Sequence, residues 1–214
     1  MLLWLCSEVR EVVKIVIFGG TFDPVHMGHL ALAERVRSDM AVTKVIFVPA
    51  NKPPHKTSQR VTSGRHRLNM LKEAIKDNPG FEVSEVELLR DGPSYTVDTM
   101  RYFAALYPKE QLFFLMGMDS LLELDTWKDV DIILDLCHLL VVTRPGYTLD
   151  RGEERFKRLP LKLWERTRFL TMPGLDIASR EIRERIREGK SVRYLIPEGV
   201  LKYIEENDIY RDSE

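Results

Sequence analysis

Short apolar runs alternate with longer amphipathic segments along most of the chain. The apolar runs are rich in Val, Ile, Leu and Phe and have the length of strands. They predict strands at Val13–Phe18, Lys44–Val48, Phe81–Val86, Gln111–Met116, His138–Thr143 and Thr167–Thr171. Several of these runs are apolar throughout, which is typical of strands that are covered on both faces.

Between and after the strands, apolar residues recur at helical spacing. This spacing predicts helices at Gly28–Met40, Gly64–Asp77, Tyr95–Tyr107, Arg180–Glu188 and Pro197–Glu206. Ser179 is a candidate N-cap and Gly189 a candidate C-terminal stop for the fourth helix. Alternating strands and helices favour βαβ units. We therefore predict an α/β fold with a Rossmann-like, doubly wound parallel sheet and a helical C-terminal part.

The length and composition fit one globular domain. The 214 residues are 44% hydrophobic and 30% charged, which excludes collagen, disordered tails and coiled-coil rods. No repeat or linker divides the chain, so we predict a single domain at residues 13–214 after an appendage at residues 1–12. The apolar start, Met1–Cys6, is too short for a signal-peptide core, and no apolar run approaches the roughly 18 residues of a membrane span.

Charge and cysteine content limit the classes of partner. Two cysteines, Cys6 and Cys137, cannot form a disulfide framework, so we expect a reducing compartment, most simply the cytoplasm. A net charge of -1 argues against a protein that coats nucleic acid, and we expect neither nucleic acid nor membrane as a partner. The segment from Arg144 to Arg193 carries a net charge of +6, which suits a compact polyanion such as a nucleotide. The sequence leaves open whether the chain forms a homo-oligomer.

The segment with the most chemical information is Phe18-Gly-Gly-Thr-Phe-Asp-Pro-Val-His-Met-Gly-His29, between the first predicted strand and the first predicted helix. Gly19 and Gly20 allow the backbone to approach a ligand, and Gly28 leaves space between the two imidazoles. Backbone N–H groups at a helix N-terminus attract phosphate. The chain lacks both G-x-x-x-x-G-K-[ST] and G-x-G-x-x-G, which argues against P-loop kinases and ordinary NAD-binding dehydrogenases.

This His-x-Gly-His run, after a Gly-Gly-Thr-Phe-Asp strand exit, resembles the signature of the nucleotidyltransferase superfamily. The resemblance implies that the segment holds the phosphates of ATP through Gly19, Gly20, Thr21, Phe22, His26, Gly28 and His29. It also implies that no covalent intermediate forms. The alternative is that two histidines cap an otherwise plain helix.

A second segment, Asp176-Ile-Ala-Ser-Arg-Glu-Ile-Arg183, resembles the Ser-Ser-Thr-x-Ile-Arg element of the same superfamily. The resemblance implies that Ser179 and Arg183 bind ATP phosphates near the start of a helix. The chain departs from the pattern at Ala178 and Arg180, which removes one hydroxyl donor; Arg180 could substitute as a cationic donor. The alternative is a capped surface helix.

Three further segments resemble the bacterial nicotinate mononucleotide adenylyltransferases, and this resemblance runs from about Val13 to Tyr210. The segments are Asn51-Lys-Pro-Pro-His-Lys56, Gly92-Pro-Ser-Tyr-Thr-Val-Asp-Thr99, and Met116-Gly-Met-Asp119 with Trp127 shortly after. The resemblance implies transfer of the adenylyl group of ATP to nicotinate mononucleotide, which gives deamido-NAD and pyrophosphate in NAD biosynthesis.

The same resemblance implies the residues that hold the acceptor: His55, Lys56, Tyr95, Thr96, Asp119, Trp127 and Arg144. Tyr95 and Thr96 would line the nicotinate pocket, and Trp127 would stack on the pyridine ring. Asp119 would accept hydrogen bonds from ribose hydroxyls. Met118 stands where the family has a small residue, so the pocket floor can differ.

We expect the acceptor's phosphate to attack the α-phosphorus of ATP directly. The residues expected to position and neutralise the phosphates are His26, His29, Lys56 and Arg183. Mg²⁺ would enter with ATP, held by substrate and water, with no dedicated protein ligands. The alternatives are another phosphorylated acceptor, such as nicotinamide mononucleotide or phosphopantetheine, and a regulator that binds pyridine nucleotides without turnover.

Overall fold

Six parallel strands form one sheet in a computed structural model that describes residues 12–52, 61–173 and 175–211. The strands are β1 (Lys14–Gly20), β2 (Lys44–Pro49), β3 (Phe81–Val83), β4 (Gln111–Gly117), β5 (His138–Thr143) and β6 (Thr167–Thr171). Their order in the sheet is β3-β2-β1-β4-β5-β6. The order reverses between β1 and β4, the place where parallel sheets of this kind bind ligands. The predicted doubly wound α/β fold is confirmed.

Eight α-helices are found in the described residues. They are α1 (Met27–Asp39), α2 (Gly64–Ile75), α3 (Thr96–Leu106), α4 (Met118–Leu122), α5 (Val130–Leu136), α6 (Glu154–Lys157), α7 (Ser179–Arg187) and α8 (Glu198–Glu206). Two short 3-10 helices lie at Leu124–Thr126 and Leu161–Leu163. All five predicted helices are confirmed within two residues at each end. The sequence pattern did not predict α4, α5 and α6, because helices of one or two turns are too short to show a helical period.

Two apolar cores lie on opposite faces of the sheet. Val16 and Phe18 of β1 face a core shared with α1, α2, α7 and α8. Ile15 and Ile17 face the second core, which α3 and α5 cover. Neighbouring residues of a strand point to opposite faces, so burial on both sides explains why β1 is apolar throughout.

The predicted strand Phe81–Val86 is too long. β3 ends at Val83, and the backbone N–H of Ser84 makes its last bond to the sheet, to the carbonyl of Phe47 at 2.9 Å. The chain then turns, with the N–H of Leu89 donating to the carbonyl of Glu85 at 3.0 Å. The apolar residue Val86 therefore packs from a turn, and apolar character alone did not mark where pairing stops.

The predicted appendage at residues 1–12 lies outside the described residues except for Val12. Within the described ranges, no helix is both long enough and apolar enough to cross a bilayer.

Polar groups from distant parts of the chain hold the loop that follows β1. The guanidinium of Arg67, only 1% exposed, donates to the carbonyls of Thr21 and Thr62 at 2.8 and 2.9 Å. The carboxylate of Asp23 accepts from the Tyr210 hydroxyl at 2.6 Å and from the N–H of Thr62 at 3.2 Å. Burial and the adjacent Asp23 carboxylate raise the pKa of Tyr210, so its hydroxyl keeps the proton that it donates.

The Tyr210–Asp23 hydrogen bond gives a test of this anchoring. Tyr210→Phe leaves a buried carboxylate oxygen without its donor, so we expect the free energy of unfolding to fall by about 1–3 kcal/mol. Denaturant unfolding measures it. Tyr194→Phe is the matched control, because Tyr194 is exposed and its hydroxyl makes no comparable bond among the described residues. Equal stability of the two variants would show that the Tyr210–Asp23 bond does not hold the loop.

Candidate active site

Two stacked histidines begin α1. His26 is the N-cap, and its Nδ1 accepts from the N–H of His29 at 3.4 Å. In return, His29 Nδ1 accepts from the N–H of His26 at 3.3 Å, which completes a reciprocal capping box. The ring centroids lie 3.6 Å apart. A Cβ at Gly28 would lie only 3.1 Å from the His26 ring, so a side chain here would crowd that ring. The histidines do cap a helix, and the same geometry turns both rings toward a cavity.

Burial sets the charge of His26. The residue is 7% exposed, and desolvation lowers the pKa of its imidazole to about 4. The ring is therefore neutral near pH 7, and because Nδ1 accepts a hydrogen bond, its proton resides on Nε2. His26 is thus an uncharged hydrogen-bond donor at the cavity wall. The neutral ring of His26 therefore adds no positive charge to the cavity wall.

The two glycines at the end of β1 make room for aromatic rings. A Cβ at Gly19 would lie 3.2 Å from the Phe114 ring, and one at Gly20 would lie 2.8 Å from the Phe22 ring. Phe22 is 2% exposed and packs edge-on against His29, with centroids 5.0 Å apart. Its backbone has a φ of 49°, a left-handed conformation that costs a residue with a side chain about 1–2 kcal/mol. The Phe22 ring therefore supports His29, and any ligand contact at this position is left to the backbone.

The second sequence motif docks onto the loop that leads into α1. The Ser179 hydroxyl donates to the carbonyl of Pro24 at 2.9 Å, and Arg183 donates to the carbonyl of Asp23 at 2.6 Å. The prediction of Ser179 as N-cap is wrong: the N-cap is Ala178, and Ser179 is the first helical residue. Ser179 instead ties α7 to the loop. The two motifs, more than 150 residues apart in sequence, therefore meet beside His26.

The Arg180 side chain does not share the contacts that Ser179 and Arg183 make with the loop. Its side chain is 80% exposed and pairs with Glu184 at 2.8 Å, one turn further along α7. The suggestion that Arg180 replaces the missing hydroxyl donor therefore finds no support in this arrangement.

One cavity, here called the histidine cavity, has a volume of about 450 Å³. Its lining includes His26, Gly28 and His29 on one element and Gly117, Asp119 and Arg144 elsewhere, together with several apolar side chains. Arg144 is exposed and lies 3.6 Å from the equally exposed Asp176. The sequence grouped Asp119 and Arg144 with the aromatic acceptor residues, whereas the structure groups them with the histidines. Met118 lies at the edge of this cavity and is otherwise buried.

The second cavity, here called the aromatic cavity, has a volume of about 270 Å³. Tyr95, Thr96 and Trp127 line it, together with Gly19 and Gly20. The Trp127 and Phe114 rings are nearly perpendicular, with centroids 5.9 Å apart. Thr96 is the first residue of α3, and the N-cap side chain of Tyr95 makes no capping hydrogen bond. The first N–H groups of α3 are thus placed to receive an anion.

The two cavities meet at the carboxyl end of β4, because Gly117 lines both. Gly117 is followed at once by α4, which carries Asp119. A ligand that extends across Gly117 would place one end among the histidines and the other beside the aromatic rings. The arrangement can hold two joined or two reacting groups, one on each side of the sheet's switch point.

Sequence reasoning missed Glu87, Ser94 and Lys128 as cavity residues. Glu87 is 7% exposed and accepts from the Thr99 hydroxyl at 2.6 Å; burial raises the pKa of its carboxyl. The Ser94 hydroxyl accepts from the N–H of Asn51 at 2.9 Å, which joins the chain after β2 to the start of α3. All three residues lie in loops, where no periodic pattern shows which side chains turn inward.

Two predicted phosphate-binding residues, His55 and Lys56, lie outside the described residues. In the described part of the chain, no group of three or more His, Cys, Asp or Glu side chains could hold a metal ion.

Comparison with known proteins agrees with this geometry. A family model described as cytidylyltransferase-like matches residues 17–185. A protein of Desulfitobacterium hafniense (strain DSM 10664 / DCB-2), named "Probable nicotinate-nucleotide adenylyltransferase", is 46% identical over 198 residues, covering 92% of this chain and 96% of the relative. A protein of Moorella thermoacetica (strain ATCC 39073 / JCM 9320) with the same name is 46% identical over 199 residues, covering 92% of each.

Among solved structures, "Plasmodium falciparum nicotinic acid mononucleotide adenylyltransferase complexed with NaAD" is similar with a TM-score of 0.74, at 18% identity. It covers 92% of this chain and 97% of that one, and at this identity it supports the fold alone. The fold and the paired histidines define a nucleotidyltransferase of the cytidylyltransferase-like class. Within that class, the chain belongs to the family of nicotinate-nucleotide adenylyltransferases.

The lowered pKa of His26 makes stability depend on pH. As pH falls below 6.5, the unfolded chain binds a proton on this imidazole, whereas the folded chain does so only near pH 4. The contribution of His26 to stability is therefore lost as pH falls through this window, by about 3 kcal/mol in total. His26→Asn keeps a good N-cap and should remove most of this dependence.

Urea unfolding at several pH values between 7 and 4 measures the effect. The same substitution at His66, in the first turn of α2, controls for the loss of an imidazole elsewhere. If His26→Asn and the unmodified chain lose equal stability on acidification, the proposed neutral state of His26 is wrong.

Proposed function

We propose that the chain transfers the adenylyl group of ATP to nicotinate mononucleotide, giving deamido-NAD and pyrophosphate. Family membership supports the reaction, since the relatives that cover nearly the whole chain carry this activity in their names. The observation that carries the proposal is the pair of cavities joined at Gly117. A dinucleotide product needs one compartment for each half, with the new phosphate linkage formed between them.

The histidine cavity suits ATP. The Nε2–H of His26 supplies a neutral donor, and His29 stacks beside it at the N-terminus of α1, where the helix dipole favours phosphate. Arg183 brings a guanidinium to the same loop. We propose that Ser179 acts mainly through its bond to Pro24, by setting the position of the loop. Gly19, Gly20 and Thr21, which the resemblance assigned to ATP, line the aromatic cavity instead.

The aromatic cavity suits nicotinate mononucleotide. The indole of Trp127 can stack on the pyridine ring, and the first N–H groups of α3, at Thr96, can receive the carboxylate. Asp119 follows the shared Gly117, so its carboxylate can accept hydrogen bonds from a ribose at the junction. Arg144 reaches the histidine cavity and is proposed to meet phosphate there. His55 and Lys56 stay predictions for the phosphates.

The reaction needs no nucleophile from the protein. An oxygen of the acceptor's 5'-phosphate attacks the α-phosphorus of ATP, that P–O bond forms, and the bond to the bridging oxygen of pyrophosphate breaks. The chain contributes by aligning the two phosphates and by donating hydrogen bonds to the departing charge. We propose that Mg²⁺ enters as part of the ATP substrate, held by phosphate oxygens and water, and lowers the repulsion between the anions.

A direct assay tests the proposal. The protein is mixed with ATP, Mg²⁺ and nicotinate mononucleotide, and pyrophosphate and dinucleotide are followed together. We expect both products to appear in equal amounts, because each transfer releases one pyrophosphate. Tight binding of nucleotide without either product would instead identify a regulator that does not turn its ligands over.

His29→Ala tests the role of the stacked pair. We expect kcat/KM to fall by about 100-fold or more, the usual cost of losing a donor aimed at developing charge. Stability should fall far less, because the ring of His29 is only half-buried. The melting temperature is measured beside the turnover, with His66→Ala as the control. A loss of folded protein equal to the loss of activity would favour a purely structural histidine.

A further inference from the structure

We propose that the side chain of Lys128 selects nicotinate mononucleotide over nicotinamide mononucleotide. The proposal rests on the proposed function, since it assigns the acceptor ring to the aromatic cavity. The ammonium of Lys128 lies 4.8 Å from the centroid of the Tyr95 ring, and both residues line this cavity. The cation–π contact holds a positive charge beside the N-terminus of α3, where Tyr95 is the N-cap.

The charge of Lys128 is not cancelled by a neighbour. In the described part of the chain, no carboxylate lies within ion-pair distance of its ammonium. The adjacent Asp129 is turned elsewhere, with its carboxylate 3.9 Å from Arg101. Lys128 is therefore a cation held by an aromatic face, free to pair with an anion that enters the cavity.

The other described residues of the aromatic cavity supply no second basic side chain. Of the described residues that line it, only Glu87 and Lys128 carry an acidic or basic side chain. The Glu87 carboxyl is buried and accepts from the Thr99 hydroxyl at 2.6 Å, and burial raises its pKa. Among the described residues that line this cavity, the positive groups that an incoming ring meets are the Lys128 ammonium and the N-terminus of α3.

The two acceptors differ in one charge at the base. Both carry a cationic pyridinium ring, and nicotinate adds a carboxylate where nicotinamide has a neutral amide. A cation in the cavity repels both rings but attracts only the carboxylate, so it discriminates by attraction to one acceptor and repulsion of the other. Backbone N–H groups at the start of α3 can bond to either a carboxylate or an amide oxygen, so hydrogen bonding there discriminates less.

The test compares kcat/KM for the two mononucleotides in the unmodified chain, Lys128→Met and Lys128→Arg. For Lys128→Met we expect the kcat/KM ratio of nicotinate to nicotinamide mononucleotide to fall by about tenfold, as for the loss of one partly screened charge. Lys128→Arg should keep most of the ratio because it keeps the charge. Added salt should lower the ratio in the unmodified chain but not in Lys128→Met.

A ratio that stays constant in Lys128→Met, which includes an equal fall of kcat/KM for both acceptors, would overturn the proposal. Lys202→Met, an exposed lysine on α8, is the matched control and should leave the ratio unchanged. Because Lys128 is exposed, Lys128→Met should fold, and its melting temperature is compared with that of the control. Absence of turnover with either acceptor in the unmodified chain would reject the proposed function itself, which is a separate result.

Discussion

The hydrogen bonds that fix the loop between β1 and α1 are the constraint on which the rest of the site depends. Backbone carbonyls at Thr21, Asp23 and Pro24 accept from Arg67, Arg183 and Ser179. Each buried carbonyl needs a donor, and the donors come from α2 and α7, which lie far from the loop in sequence. The loop sets where α1 starts, and the start of α1 sets where the two imidazoles stack. Displacement of any one donor would thus shift the two imidazoles that line the histidine cavity.

The electrostatics of the site follow from the same burial. His26 is covered by the structure that holds the loop, and this cover keeps its ring neutral. A neutral imidazole can donate one hydrogen bond to a phosphate without first losing an ionic partner. Positive charge comes instead from exposed or half-exposed cations at the rims, Arg144 in one cavity and Lys128 in the other. The centre of the site orients its ligands through dipoles, and the periphery attracts them through charge.

The sequence predicted the strands and the longer helices because their apolar positions repeat with a clear period over several turns or residues. It also placed the two motifs correctly at a strand exit and a helix start. It could not show that Ser179 bonds to Pro24, because that contact depends on how α7 packs over β1. It assigned Asp119 and Arg144 to the acceptor side by resemblance, whereas the packing of α4 and the end of β5 brings them to the histidine cavity. The sequence did not predict Glu87 and Lys128 as cavity residues, because residues in loops follow no periodic pattern.

The bonds that hold the histidine loop span 46, 155, 160 and 187 residues. A ribosome that has just released β1 and α1 has therefore made His26 and His29, but none of the side chains whose hydrogen bonds hold their loop in place. The last of these, Tyr210, emerges only after all six strands have been synthesised. The hydrogen bonds of the loop are thus completed only at a late stage of translation, and a nascent chain that stalls before α7 would lack the bonds from Ser179, Arg183 and Tyr210.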